Sequence, residues 1–139
     1  MKLLFVSIAF ILIFAQFKAL YADYEYTQFH KTHQISHLET AWATDPHSTH
    51  YNYWMAFEAL KAKDGPKALK YIHRVRDYWN GDLVLWAIAD FEAKAWLSVG
   101  QMNHAYDLAQ EALRYNPDFK PSQDLVEKIQ EYRNKKALQ

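Results

Sequence analysis

The chain has 139 residues, 16 basic and 16 acidic side chains, no cysteine, three glycines and 17% aromatic residues. Balanced charge offers no electrostatic footprint for a nucleic-acid backbone, and the missing thiols exclude disulfides, cysteine-ligated zinc and thiol catalysis together. A single domain held by packing, with much of its core aromatic, is what these quantities leave.

Residues 1–22 read as a targeting segment. Lys2 precedes an apolar run from Leu3 to Ala15, and Ala22 supplies a small residue just before Asp23. A secretory signal peptide is the expectation, which places a domain of residues 23–139 in the periplasm or outside the cell. Cleavage would remove Lys2 and Lys18 and leave 14 basic against 16 acidic side chains, a net charge of −2. The alternative is an uncleaved membrane anchor, which would make the chain a membrane-anchored accessory subunit of a larger complex, because extending the run through Phe17, Ala19, Leu20 and Tyr21 approaches the ~20 residues that span a bilayer. Tyr24 and Tyr26 beside Asp23 and Glu25 are then expected to form a mobile start.

Ile35, Leu38, Ala41 and Trp42 recur at helical spacing and predict one helix over residues 28–43, ended by Asp45-Pro46. Ser48 or Thr49 caps a second helix to about Lys63. Asp64-Gly65-Pro66 interrupts, the glycine supplying a left-handed residue, and a third helix follows from Lys67 to Tyr78. Asn80-Gly81-Asp82 repeats that logic, with Asp82 as N-cap of an apolar helix to about Val99. Gly100 closes it, residues 103–115 form the next helix, and Asn116-Pro117 ends that one. Ser122 caps a last helix from Gln123 whose basic end suits a C-terminus. No segment alternates with period two, so the fold class is all-α, with about six helices after the targeting segment.

One small pattern recurs. His33-Gln34, Leu38, Ala41-Trp42 and Asp45-Pro46 align without a gap with His104-Ala105, Ala109, Ala112-Leu113 and Asn116-Pro117, and Ala68, Ile72, Val75 and Asn80 lie between them. The offsets of 34 and 37 residues mark stacked helical hairpins that bury their apolar faces on one another. With Ala93 and Trp96 in one helix, Gly100 at the turn, Ala105 and Ala112 in the next and Pro117 at the close, the chain resembles the tetratricopeptide repeat family. The resemblance implies a right-handed helical-hairpin solenoid of about two and a half units plus a terminal helix. It departs from the family in the three extra residues near Tyr78–Asp82 and in the missing early tryptophan and leucine-glycine.

Such domains bind peptides or partner proteins along the face made by the first helix of each hairpin. The resemblance therefore implies partner contacts at His50, Tyr53, Phe57, Leu60 and Lys61 on one helix and Asp90 and Lys94 on another, with Asp90 and Lys94 as charged rim. The expected partner is another exported or envelope protein, with self-association as a further outcome and no nucleic acid. Aromatics at helical spacing also pack on neighbouring helices, which is the competing reading for Tyr53 and Phe57. A second alternative is metal chelation: His30, His33 and His37 would share one face of a single helix, with His47 and His50 just beyond it. No fourth ligand is fixed by spacing, so no metal and no cofactor are assigned. No paired acid and base, nucleophile elbow or phosphate-cradling glycine loop is present, and no enzymatic activity is expected.

Overall fold

A computed structural model of the chain describes residues 2–137. Met1, at the head of the expected targeting segment, and residues 138–139 of the expected domain lie outside the described residues, as do the side chains of residues 2–6 and 8–10. Among the described residues there are seven helices and no strand. They are α1 (Lys2–Thr32), α2 (Ile35–Thr44), α3 (Thr49–Lys61), α4 (Gly65–Asp77), α5 (Leu85–Ser98), α6 (Met102–Tyr115) and α7 (Lys120–Ala137). Each helix packs on its neighbours in sequence, and α3 also touches α5.

The expected single helix over residues 28–43 is two helices. His33 adopts φ 55°, its N–H closing on the carbonyl of Phe29 at 2.7 Å, and Gln34 is extended, so α2 folds back against α1. A left-handed non-glycine residue costs about 1–2 kcal/mol. The fold-back offsets it by bringing Phe29 (2% exposed) and Leu38 (0%) into the same core cluster, where a straight helix would hold them apart. Residues 23–32 are correspondingly helical and packed instead of forming a mobile tail: Ala22 is 1% and Glu25 8% exposed. Among the described residues no helix is long and apolar enough to cross a membrane.

Several boundaries are set by identifiable hydrogen bonds. Ser48 Oγ accepts from the Tyr51 amide at 3.4 Å at the start of α3, and Asp64 Oδ1 accepts from the Lys67 amide at 3.0 Å at the start of α4. Three expectations need correction. The left-handed residue before α4 is Lys63 (φ 60°), whereas Gly65 opens the helix and is required for space: a Cβ there would stand 2.3 Å from Ser98 Oγ and 2.6 Å from Val99 Cγ1. Asp82 does not cap α5, which begins at Leu85. Its amide bonds Asn80 Oδ1 in a longer loop, closed by the Trp79 indole donating to the Leu83 carbonyl at 2.8 Å. Ser122 lies inside the first turn of α7, where it is fully buried.

The repeat visible in sequence reappears as matched turns. Between α3 and α4 the amide of Asp64 bonds the Ala59 carbonyl at 2.9 Å and that of Lys63 bonds the Leu60 carbonyl at 3.0 Å. Between α5 and α6, 37 residues on, Gln101 bonds Trp96 at 2.9 Å and Gly100 bonds Leu97 at 3.0 Å, with Gly100 at φ 81°. The proline turns match as well: the carboxamide of Asn52 donates to the Pro46 carbonyl at 2.9 Å, and that of Gln123, 71 residues on, to the Pro117 carbonyl at 2.8 Å.

The main core joins Phe29, Leu38, Met55, Tyr71, Ile72, Val75 and Ile88 from α1 to α5. Leu38 and Ile72 are wholly buried, each worth about 1.5–3 kcal/mol relative to exposure. A second cluster sets Ala93 of α5 and Ala105 and Ala109 of α6 against Leu125, Val126 and Ile129 of α7. The buried residues of α6 are all alanines, at positions 105, 109 and 112, so its backbone lies close to the helices it packs on.

Candidate partner-binding site

In α3, Tyr53 and Phe57 are one turn apart and both half-buried, and the ring that joins them belongs to α5. Phe91 lies 4.7 Å from Tyr53 and 5.8 Å from Phe57, centroid to centroid. Trp54 extends the cluster, 5.3 Å from Phe57 and 4.9 Å from the imidazole of His30 in α1. A continuous aromatic surface thus runs from α1 across α3 to α5, with Tyr53, Trp54, Phe57 and Phe91 half-buried and His30 exposed. Burial, reinforced by the negative charge of Asp90, pushes the Tyr53 phenol above its ordinary value.

Two lysines sit over this surface. Lys61 Nζ is 5.5 Å from the Phe57 centroid and Lys94 Nζ 5.8 Å from that of Phe91. Each is matched by an acid on its own helix: Lys61 bonds both Glu58 oxygens at 3.0 Å, and Lys94 bonds Asp90 Oδ2 at 2.6 Å. The charges are therefore largely neutralised in place, and what the surface presents is polarisable ring.

Of the seven expected contact residues, Tyr53, Phe57, Lys61 and Lys94 come together around Phe91. His50 is half-buried, on α3 one turn before Tyr53. Leu60 packs on Ala59, Ala68 and Ala95 where α3, α4 and α5 meet. Asp90 is not a rim charge: it is 2% exposed, with Ser122 Oγ donating to its Oδ1 at 2.9 Å and Lys94 to its Oδ2. A carboxylate on the α5 face that meets α7 is desolvated and must be fully hydrogen-bonded there. Phe91 is absent from the expected contacts, although it falls three residues before Lys94 on the same helical stripe, and His30, expected as a candidate metal ligand, lies on the ring surface instead.

The histidine face does not form, because the break at His33 divides it. His30 lies edge-on to Tyr26 at 4.5 Å, His33 sits in the turn, and His37 in α2 bonds Glu25 Oε2 through Nδ1 at 2.6 Å. His47, outside these helices, lies edge-on to Tyr78 at 4.6 Å. Among the described residues no group of three or more histidine, aspartate or glutamate side chains is placed to hold a metal ion. No protein-family model matches the chain, and no curated protein matches it.

Proposed function

We propose that this chain is an exported scaffold of the tetratricopeptide-like type, a short right-handed solenoid that holds a segment of another exported or envelope protein and has no catalysis of its own. The matched turns 37 and 71 residues apart support the repeat reading, since the α3–α4 and α5–α6 turns share one set of hydrogen bonds and the two proline turns share another. The observation that carries the functional reading is the half-covered ring surface of Tyr53, Phe57 and Phe91, shared by α3 and α5 and topped by lysines whose charge is already matched. Such a surface gains by burying apolar side chains of a partner, and its lysines, already paired with Glu58 and Asp90, demand no counter-charge from it.

Affinity capture from the native envelope tests it. The full-length chain should retain a specific partner, and Phe57→Ala or Phe91→Ala should weaken that retention by tenfold or more, the size expected for a central aromatic anchor at about 2 kcal/mol. Equal capture by the wild type and both variants, each folded by circular dichroism, would remove this face from the reading.

A further inference from the structure

We propose that residues 11–20 of α1 are seated in the hydrocarbon of a lipid bilayer and stay joined to the folded domain. Ile11, Leu12, Ile13 and Phe14 are 67%, 59%, 53% and 64% exposed. Four successive residues complete a helical turn, so the apolar surface here runs around the whole circumference of the helix. A groove on a partner protein covers one side of a helix, while lipid surrounds it, and an apolar helix exposed on every side matches the second environment. Phe17 and Leu20 continue the surface at 67% and 66% exposed. Lys18 has an aliphatic stem long enough to carry its charge toward the lipid surface, and Tyr21 and Tyr24 come next, where amphipathic rings favour the membrane–water boundary. Immersion of this stretch does not require a crossing.

The attachment to the domain is rigid. α1 runs without interruption from the exposed stretch into Ala22 (1% exposed) and Phe29 (2%), and Asp23 Oδ1 accepts the Tyr51 hydroxyl at 2.8 Å. The peptide bond after Ala22 is thus helical and beside a packed side chain, whereas proteases act on exposed, locally unfolded chain. Once α1 has packed, the apolar segment is kept.

The test is flotation of the full-length chain with neutral phosphatidylcholine vesicles, with a carbonate wash and sequencing of the floated protein's N-terminus. A chain beginning at Met1 should float and resist carbonate. Leu12→Lys with Phe14→Lys should return it to the bottom fraction by more than about tenfold while leaving the helical dichroism unchanged. Wild type that stays at the bottom, a double variant that floats equally well, or protein recovered from native membranes that begins at Asp23 would overturn the proposal. Phe57→Ala should float as wild type does, so loss of partner capture and loss of membrane seating are read separately.

Discussion

Ser122 at the start of α7 donates its hydroxyl to Oδ1 of Asp90 in α5 at 2.9 Å, and both residues are buried. Helices two apart in the chain are thereby tied by one polar bond set among alanines and leucines. With Lys94 on its other oxygen, the Asp90 carboxylate has a partner for each oxygen.

Removing one partner should therefore cost more than a surface bond. Ser122→Ala is expected to lower unfolding free energy by about 1–3 kcal/mol, because it strips a donor from a buried acid. Urea denaturation of the two single variants and the double variant checks this. Asp90→Asn should be milder than Asp90→Ala, and the double variant Asp90→Ala with Ser122→Ala should cost less than the sum of the singles.

Asn52 is the second polar keystone. It is fully buried, accepts the Trp42 indole N–H at 3.0 Å, and donates to the carbonyls of Pro46 and Ser48 at 2.9 and 2.8 Å. Asn52→Leu should cost at least about 2 kcal/mol, since it strips the partner from the half-buried Trp42 indole and Pro46 carbonyl, while the Ser48 carbonyl keeps the residue-52 amide. Trp42→Phe should cost less, because only the Asn52 oxygen loses its donor. Thermal denaturation of both, followed by tryptophan emission and by far-ultraviolet dichroism, gives the comparison.

Gly65→Ala is expected to destabilise by about 1–3 kcal/mol through overpacking against Ser98 and Val99. Ser98→Gly in the same chain should recover part of the loss, and Val99 holds back the rest. Gly81→Ala is the control: nothing lies within 4 Å of the added carbon, so only the strain of φ +99° remains, about 1 kcal/mol. Melting temperatures that rank the two variants in the opposite order would contradict the close approach of α4 to the end of α5.

The α1–α2 hairpin should be acid-sensitive. The hydrogen bond from His37 holds the Glu25 carboxyl below its ordinary value, against the opposing effect of burial. A carboxyl depressed in the folded state adds stability that is present above the ordinary carboxylate value and is lost as pH falls through the depressed one. His37→Leu should flatten stability against pH below about 5. At the other end, burial and the bond to Asp23 raise the Tyr51 phenol, so its contribution is complete below the ordinary tyrosine value and is lost as pH rises through the raised one. Tyr51→Phe should flatten the alkaline arm, as followed by chemical denaturation across a pH series.

How much of this was legible in advance differs residue by residue. Ser48 announced the start of α3 because capping is local: a side-chain oxygen two or three residues from a free amide finds it whatever the rest of the chain does, and by the same rule Asp64 caps α4 although the sequence showed only a break there. The break at His33 was not legible, since nothing in Thr32-His33-Gln34 disfavours helix as a glycine or proline would. It exists because Phe29 and Leu38 are buried only when α2 turns back. The histidine face dissolved for the same reason. Phe91 was legible by its spacing from Lys94, whereas the burial of Asp90 was not, because α7 arrives from 32 residues away.

Composition and helical periodicity determined that the described residues are all-helical, because helix formation is a property of near neighbours on a 3.6-residue turn. Tertiary structure alone decided which carboxylates are buried, which rings meet and where the helix expected over residues 28–43 breaks. Those outcomes depend on desolvation and contact between helices remote in sequence, and one-dimensional spacing carries no record of them.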